Sequence, residues 1–465
     1  MNIKHLYERL PWPLQNVACN WYGWKEKRLR MGGEFKSFLT WLKNSDYADE
    51  EEIKQYQDAQ VRKLIGYAQL NVPFYQKQLA ENGIDSRFIS GVHSLSNLPI
   101  LTKEEVVKNK QILISSDADP SCLVKSNTSG TTGTALEFYK TKEALAFQWA
   151  VWWRHRGRFG FNPGSWHANF TARPVVPLNQ SKPPYWRQDY FRNQFLISSS
   201  HLVPEKVRFI SEKLKNMRLK YFTGYCSQIA HFAALVESIA PVEVPRPKFI
   251  FLGAENVGDS NKALIEKVTG ATVTDQYGFA EGCGNASRCE YGNYHEDWEL
   301  GVLECIDPVV HQDGSRTGRI VATGFANHVF PFIRYEVGDT ATWAPEDYVC
   351  PCGRQSTVLW HIDGRNEDFI LTPEGNRVMR WSYLFKNTPT IREAQVVQRE
   401  YGAVVIRIVP RQPISQKDLN LVRLIVKDWI SPTLNVDFEI VDEIERSSSG
   451  KFKPVVSQLD DGVSR

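Results

Sequence analysis

Apolar side chains recur at helical spacing in several long stretches of the chain. At 3.6 residues per turn, this spacing gathers them on one side of a helix. We therefore predict helices over residues 51–83, 143–156 and 414–430. The first thirty residues are aromatic and basic, and we expect them to form an amphipathic helix packed on the protein. Weak docking of this segment on a membrane surface or a partner is the alternative.

A shorter helix is predicted after the segment LPILT, which follows a turn-rich stretch. The Thr102 hydroxyl can accept a hydrogen bond from a free backbone N–H at the start of a helix. Glu104 and Glu105 would then lie in the first turn, where negative charge favours the helix dipole.

Short runs rich in β-branched and aromatic residues alternate with the helical patterns. They span residues 218–225, 248–255, 271–278 and 318–325. This alternation predicts a mixed α/β fold with buried strands. Residues 172–194 are rich in proline and aromatics, and we expect a long surface loop there that faces a substrate.

The chain has 465 residues, too many for one ordinary core. After Gly364 the pattern restarts with a strand-like FILTP, the helix at 414–430 and a final strand, VDFEIVDEI. We therefore predict a large N-terminal domain of mixed sheets and helices over 1–365. A small α+β domain follows over 366–465.

Basic residues gather at the end of the predicted helix 143–156, namely Arg154, His155, Arg156 and Arg158. Such a cluster could face an anionic ligand. A solvated helix end is the commoner explanation for charges in this position.

The composition excludes several classes of protein. Hydrophobic residues make up 42% and charged residues 23%, the balance of a folded globular chain. With 56 basic and 53 acidic residues the net charge is +3, so we expect no nucleic-acid partner. No run approaches the ~20 apolar residues of a membrane span, and the N-terminus does not read as a signal peptide. We therefore expect a cytoplasmic protein whose eight cysteines are reduced or bind metal.

Residues 126–134 read SNTSGTTGT and form the most informative segment. Glycines let a backbone turn tightly and expose its N–H groups, and hydroxyls add donors, so this segment could cradle a polyphosphate. It lacks the G-K-[ST] ending of a Walker loop. Taken alone, it is equally well explained as a Ser/Thr/Gly linker.

Further motifs follow in a fixed order: Tyr277-Gly278-Phe279-Ala280-Glu281, Arg334-Tyr335-Glu336-Val337-Gly338-Asp339, Gly364-Arg365 with Asp368, and Ser449-Gly450-Lys451. Together with TSGTTG they resemble the signature motifs of the adenylate-forming superfamily, which includes the acyl-CoA synthetases. VPFY, LPILTK and CxCGR resemble the phenylacetate-CoA ligase family, and the opening YERLPWPLQN is most similar to its CapK-like capsular-polysaccharide branch. The resemblance covers essentially the whole chain.

The resemblance implies an ATP-dependent, AMP-forming acid–CoA ligase. Its phosphate loop would be Ser129, Gly130, Thr131, Thr132 and Gly133. Its catalytic residues would be Glu281, which would hold Mg²⁺, and Lys451, which would stabilise the charge that develops during adenylation. The remaining nucleotide-binding residues would be Tyr277 and Gly278 at the base, Asp339 at the ribose, and Arg365 near the ribose or phosphates. A core tyrosine is a real alternative for Tyr277.

Gly253, Ala254 and Glu255 end a strand-like run, as does the segment at 224–227. Ligand-facing loops belong in such positions, so we predict that they line the acyl and adenine pocket. Tight turns that merely close strands explain them almost as well.

The chain departs from the superfamily pattern in two places. The phosphate loop continues as Thr134-Ala135-Leu136, without the usual proline and lysine, so phosphate binding would depend on backbone and hydroxyls. Glu367 stands where the superfamily usually has an aspartate that pivots the small domain between the two half-reactions.

A structural zinc site is predicted from Cys289, His295, Cys350 and Cys352. Three thiolates and an imidazole satisfy a tetrahedral zinc ion. Relatives in the phenylacetate-CoA ligase family carry a metal at similar positions. Cys283 could replace one ligand, and a set of buried free cysteines is the alternative.

The preferred hypothesis is therefore an enzyme that activates a carboxylic acid as an acyl-adenylate. It would pass the acyl group to coenzyme A, or to an amine, in polysaccharide or aryl-acid metabolism. An adenylyltransferase that leaves AMP on its acceptor is one alternative. A non-catalytic polysaccharide-assembly protein is another, and a homodimer is left open.

Overall fold

The computed structural model describes residues 3–127, 136–171, 175–239, 244–255, 257, 259–365, 370–374, 377–378, 381, 390–445 and 455–459. The chain divides into two compact units. The first consists of Met1–Thr128, Glu137–Val257 and Lys262–Arg365, and the chain after Arg365 belongs to the second. The two units are described separately.

Helices of the first unit precede and separate its strands. They are α1 (Ile3–Arg9), α2 (Trp12–Met31), α3 (Phe35–Asn44), α4 (Glu50–Asn71), α5 (Pro73–Glu81), α6 (Lys103–Asn109), α7 (Lys142–Arg158), α8 (Pro204–Met217), α9 (Cys226–Ser238) and α10 (Asp259–Thr269). The prediction for 143–156 is confirmed by α7. The predicted cap of α6 is also confirmed, because the Thr102 hydroxyl accepts from the Glu105 N–H and the Glu105 carboxylate accepts from the Thr102 N–H.

One twelve-stranded sheet dominates the first unit, in the order β11-β12-β13-β14-β10-β9-β8-β7-β6-β3-β5-β4. Its strands are β3 (His167–Thr171), β4 (Trp186–Asp189), β5 (Gln194–Ser198), β6 (Tyr221–Gly224), β7 (Phe249–Leu252), β8 (Thr272–Gly278), β9 (Asn285–Arg288), β10 (Tyr294–Glu296), β11 (Gly301–Val310), β12 (Arg316–Gly324), β13 (Tyr335–Trp343) and β14 (Val358–Arg365). β3 and β5 to β8 are parallel, and β8 to β14 are antiparallel. The predicted mixed α/β class is confirmed.

The parallel strands are buried by helices, which explains their continuous apolar sequences. Phe222, Ile250 and Val273 belong to β6, β7 and β8 and form one core with Ile210 of α8 and Phe232 of α9. Burial of each such side chain contributes roughly 1.5–3 kcal/mol. A separate hairpin of β1 (Leu123–Asn127) and β2 (Glu137–Thr141) flanks residues 128–135.

The prediction of one helix over 51–83 is wrong in its interior. The chain forms α4 and α5, separated at Val72, which is extended at φ −111° and ψ 107°. Pro73 has no backbone N–H and disfavours helical geometry in the residue before it. It therefore ends α4 and begins α5.

The prediction of a surface loop over 172–194 is also wrong for part of that segment. Residues 186–189 form β4, which pairs antiparallel with β5 at the edge of the sheet. Tyr185, Arg187 and Asp189 are almost fully buried. The Arg187 guanidinium donates to the carbonyl oxygens of Pro184 and Trp186, at 3.0 and 2.7 Å. The guanidinium also donates to the Gln15 side-chain oxygen of α2, which lies 172 residues away, so the local composition does not show this partner and predicts a loop.

The second unit is a small α+β structure. Its elements are β15 (Ile370–Leu371), β16 (Arg377–Val378), β17 (Ile391–Glu400), β18 (Ala403–Pro410), α11 (Gln416–Trp429), β19 (Asn435–Ile440) and β20 (Val455–Ser457). Strands β19-β18-β17-β20 form one sheet, and Val422 and Val426 of α11 pack with Val396 and Ile406 of that sheet. The helix predicted at 414–430 and the strand after it are confirmed. In neither unit does a described helix combine the length and hydropathy that a membrane crossing needs.

Candidate functional site

The candidate site begins where β8 ends. Tyr277 and Gly278 close the strand, and a turn follows that carries Glu281, of which only 5% is exposed. Gly278 pairs with Asn285 of β9, and a Cβ on Gly278 would lie 2.2 Å from the Asn285 side-chain oxygen. Gly282 has a φ of +70°, a conformation that glycine adopts readily.

A hydrogen bond joins Tyr277 to Asp339, the last residue of the second motif. The Tyr277 hydroxyl donates to the Asp339 carboxylate, with 2.6 Å between the oxygens. Burial raises the pKa of Tyr277 well above its ordinary value, and the negative charge of Asp339 raises it further. The phenol therefore remains a donor at neutral pH. The contact is compatible with a core tyrosine as well as with one that faces a nucleotide, so the role of Tyr277 at the base stays a prediction.

A second hydrogen bond joins the same two motifs. The hydroxyl of Tyr335, a buried residue of β13, donates to the Glu281 carboxylate at 3.2 Å. Arg334, which precedes it, donates to the Glu304 carboxylate at 3.1 Å. Two contacts therefore hold Tyr277 and Glu281 against Tyr335 and Asp339, although the motifs lie more than fifty residues apart.

Arg365 lies at the end of β14, where its backbone pairs in register with Asp339 of β13. The two residues thus occupy neighbouring positions in the sheet. The predicted phosphate loop Ser129, Gly130, Thr131, Thr132 and Gly133 lies outside the described residues, as does Lys451. The hairpin of β1 and β2 brings Asn127 and Glu137, at the two sides of that loop, opposite each other.

Lys140 is a residue of this region that the motifs did not reveal. It lies on β2, is only 2% exposed, and donates to the Gln148 side-chain oxygen at 2.6 Å and to the Ala280 carbonyl at 2.7 Å. Burial lowers the pKa of Lys140 to about 8, although the negative charge of Glu281 opposes this shift. Alternation along β2 was the available signal, because it places Lys140 on the same face as the buried Phe138.

The two segments predicted to line the acyl and adenine pocket contact each other. The Glu255 carboxylate accepts from the Ser227 N–H at 2.9 Å and from the Ser227 hydroxyl at 3.1 Å. Ala254 has a φ of +64°, and nothing lies within 4 Å of a Cβ built on Gly253. Glu255 therefore satisfies a backbone donor at the start of α9. Whether these residues contact a ligand stays a prediction.

Cys289, His295, Cys350 and Cys352 form one buried cluster. One ligand atom from each residue lies within 4.8 Å of all the others. The Sγ atoms of Cys289 and Cys350 are 3.8 Å apart, and the Cys352 Sγ is 3.2 Å from the His295 Nε2. Cys283 is not part of this group, so the suggestion that it replaces a ligand is wrong.

This donor set fits a tetrahedral zinc ion. Two thiolates bound to zinc at ~2.3 Å lie about 3.8 Å apart, as Cys289 and Cys350 do. Burial raises the pKa of the Cys289 thiol to about 12. Burial also opposes ionisation of Cys350, but hydrogen bonds from the Cys352 backbone and the Asn293 side chain lower its pKa. A divalent cation would supply the charge that stabilises all three thiolates.

The basic cluster at the end of α7 is not a solvated helix end, so that explanation is wrong. Arg154 is 2% exposed, and its guanidinium donates to Asp297 at 2.7 Å and to Glu299 at 2.6 Å. Arg158 forms an ion pair with Asp46, which Arg354 also contacts at 3.1 Å. The anions that Arg154 and Arg158 face are carboxylates of the protein. They tie α7 to the loop that carries Cys352.

Comparison with known proteins agrees with this architecture. A family model described as the CapK C-terminal domain matches residues 370–458. The chain is 24% identical to Protein CapK of Staphylococcus aureus over 464 residues, which are 98% of this chain and 100% of the relative. It is 23% identical to phenylacetate-coenzyme A ligase of Thermus thermophilus over 345 residues, 69% of this chain and 72% of the relative. The chain is homologous to both, and the predicted resemblance is confirmed.

Solved structures of 2-hydroxyisobutyryl-CoA ligase share the fold. A complex with 2-HIB-AMP and CoA in the thioesterification state superposes with a TM-score of 0.60 at 18% identity, covering 89% of this chain and 91% of the other. A complex with R3-HIB-AMP in the postadenylation state gives a TM-score of 0.57 at 19% identity, and the match covers 90% of this chain and 92% of the other. At this identity the likeness establishes the fold alone.

Proposed function

We propose that this protein uses ATP to activate a carboxylic acid as an acyl-adenylate and then transfers the acyl group to coenzyme A. The observation that carries the proposal is the pair of hydrogen bonds that join Tyr277 to Asp339 and Tyr335 to Glu281. They bring together side chains from two distant motifs of the adenylate-forming superfamily. An ordinary structural role would not require both motifs to meet at the end of a parallel strand, where α/β folds bind ligands.

In this proposal, each of the predicted site residues has a separate task. The Asp339 carboxylate accepts hydrogen bonds from the ribose hydroxyls while Tyr277 fixes its orientation. Glu281 offers the carboxylate oxygens that a Mg²⁺ ion prefers, and the ion would neutralise charge on the phosphates. Arg365, next to Asp339 in the sheet, acts near the ribose or phosphates. Lys451 stabilises the charge that develops as the carboxylate attacks the α-phosphate.

The acceptor and the acid are proposed from the relatives. One relative is named phenylacetate-coenzyme A ligase, and the structure of a protein with the same fold contains 2-HIB-AMP and CoA. Coenzyme A is therefore the favoured acceptor, and an aryl acid is the first class to test. The homology to CapK favours an acid of polysaccharide metabolism as the second class. Zinc held by Cys289, His295, Cys350 and Cys352 would be structural, because four protein ligands leave no open position.

The proposal is tested by acid-dependent exchange of labelled pyrophosphate into ATP. A panel of aryl acids and sugar-derived acids is offered, and one class should drive exchange. Lys451→Ala should lower the exchange rate on the order of 10²–10³-fold, because it removes a donor to developing charge. Lys427→Ala, which changes an exposed lysine of α11, is the matched control and should leave the rate unchanged.

Two outcomes would contradict the proposal. If none of the acids in the panel drives exchange although the protein is folded, the result favours a non-catalytic role. Exchange that persists in Lys451→Ala removes that lysine from the mechanism. Mass spectrometry of the product separates the remaining alternative, since an adenylyltransferase leaves AMP covalently bound to its acceptor.

A further inference from the structure

Helix α2 turns polar residues towards the protein. Asn16 accepts from the backbone N–H of Gln188 at 2.8 Å, and Asn20 donates to the backbone oxygen of the same residue at 2.8 Å. A Cβ on Gly23 would lie 2.2 Å from the Asp189 carboxylate, so the helix packs closely on β4. The orientation of α2 is therefore fixed by hydrogen bonds to an edge strand and by one close backbone approach.

The opposite side of α2 is apolar and exposed. Leu14, Val17, Trp21 and Trp24 are 51%, 64%, 63% and 40% exposed. At 100° per residue these four positions fall within an arc of about 80°. A helix on a globular protein normally buries its apolar side and exposes its polar side. In α2 this arrangement is reversed, and a contiguous exposed apolar stripe indicates a contact surface.

Two basic residues lie on the same stripe. The Lys25 ammonium is 6.0 Å from the Trp21 ring, and the Arg28 guanidinium is 5.1 Å from the Trp24 ring. In the described parts of the chain, no carboxylate forms an ion pair with either. We define the outer face of α2 as Leu14, Val17, Trp21, Trp24, Lys25 and Arg28.

The N-terminal segment carries a surplus of positive charge. Residues 1–31 contain six Lys and Arg against two Glu, a surplus of four, whereas the entire chain has a net charge of only +3. The rest of the chain, with 50 basic and 51 acidic residues, therefore has a net charge of −1, and the N-terminal segment alone accounts for the positive surplus. It would attract an anionic surface.

We propose that the outer face of α2 docks on an anionic lipid surface. Tryptophan rings favour the interface between water and hydrocarbon, and basic groups beside them bind anionic headgroups. A second copy of the chain would bring like charges together across a twofold axis. Six side chains also fall well short of the ~800 Å² per partner that a standard protein interface buries. Docking would leave the protein peripheral to the lipid, with its fold unchanged.

The test is co-sedimentation of the full chain with vesicles. Phosphatidylcholine vesicles containing about a third phosphatidylglycerol should bind it, and phosphatidylcholine alone should bind at least tenfold more weakly. Neutralising Lys25 and Arg28 with glutamine should lower the partition coefficient about thirtyfold, because each basic residue near such a surface contributes about fivefold. W21S/W24S should lower it at least tenfold, because it removes the two aromatic anchors.

Matched controls use exposed residues elsewhere in the first unit. Phe88→Ser changes a ring that is 80% exposed, and K63Q/K108Q neutralises two exposed lysines on α4 and α6. Both should leave lipid binding unchanged. Far-UV circular dichroism and pyrophosphate exchange should be unaffected in every variant, so this inference can fail while the proposed function stands.

Three results would overturn the inference. The wild-type chain could fail to sediment with anionic vesicles. The control variants could lose as much binding as those of the outer face. Finally, W21S/W24S could convert a dimer to a monomer in analytical ultracentrifugation while vesicle binding stays unchanged, which would identify the outer face as a protein interface.

Discussion

Replacement of Arg154 by methionine should destabilise the first unit strongly. The guanidinium donates to Glu299 at 2.6 and 2.9 Å and to Asp297 at 2.7 Å. All three side chains are at most 2% exposed. Methionine can fill much of the volume but provides neither charge nor donors. Two carboxylates would then remain buried without their principal cation.

The contacts of the two carboxylates set the size of the effect. Loss of one partner from a buried ion pair costs about 3–5 kcal/mol. Arg158 lies 3.7 Å from Asp297, and the Ser45 hydroxyl donates to Glu299 at 2.5 Å, so part of the compensation survives. We therefore expect a loss of about 3 kcal/mol at pH 7. Arg154→Lys keeps the charge but not the forked geometry of the guanidinium. Its stability should therefore lie between those of the wild type and Arg154→Met.

The effect should depend on pH in a defined direction. In the wild type, burial opposes ionisation of Asp46, but Arg158, Arg154 and Arg354 lower its pKa from 3.8 to about 2. Because the folded pKa is depressed, this stabilisation is present above pH ~4 and is lost as the pH falls towards 2. In Arg154→Met, the part of this stabilisation that Arg154 provides is absent at every pH. The difference between mutant and wild type should therefore shrink as the pH falls from about 4 towards 2.

Urea unfolding followed by tryptophan fluorescence measures this difference. Twelve of the fourteen tryptophans precede residue 366, so the signal reports mainly on the first unit. Arg208→Met, which breaks an exposed pair with Glu212, is the matched control and should change stability by less than about 1 kcal/mol. A loss below about 1 kcal/mol for Arg154→Met at pH 7, or a loss that grows on acidification, would refute the reasoning.

Two further predictions concern the metal cluster and the buried lysine. Purified protein should contain about one zinc per chain by mass spectrometry, and Cys350→Ser should lose both the metal and thermal stability. Cys122→Ser, at an exposed thiol outside the cluster, should keep both, and metal-free wild type of normal stability would contradict the site. Lys140→Met should lower pyrophosphate exchange at least about tenfold, because it removes a buried positive charge beside Glu281. Lys125 lies on the neighbouring strand and its side chain is 56% exposed, so Lys125→Met should leave the exchange rate unchanged. Equal losses of exchange in both variants would exclude a specific role for Lys140.

Much of the site could be predicted because short motifs encode local geometry. Tyr277 and Glu281 lie at the end of β8 and in the turn that follows it, and Tyr335 and Asp339 both lie in β13. Each motif therefore determines the relative position of its own two side chains. The sequence could not show that these pairs contact each other through two hydrogen bonds. That contact depends on the antiparallel half of the sheet, in which three strands, β14, β10 and β9, lie between β13 and β8.

The errors have a common physical origin. The helical pattern of apolar residues over 51–83 continues through Pro73. The helix is nevertheless interrupted there, because proline has no backbone N–H to donate. The basic cluster at Arg154 has the composition of an exposed helix end. Its carboxylate partners, Asp297 and Glu299, lie over 140 residues further along the chain, where no local window finds them. In the same way, composition predicts a loop around Arg187 because one partner of its guanidinium, the Gln15 side-chain oxygen of α2, lies 172 residues earlier in the chain.

Lys140 lies outside all the sequence motifs but contacts the turn that carries Glu281. Its ammonium fills the space beside the turn that carries Glu281, and a Cβ on Gly282 would lie 2.7 Å from the Lys140 Nζ. Glycine suits the position after Glu281 for two reasons, since it adopts a φ of +70° without strain and leaves room for the Lys140 ammonium. The strand after the predicted phosphate loop and the turn after β8 must consequently be compatible with each other. A buried charge thus connects two motifs that the sequence presents as independent.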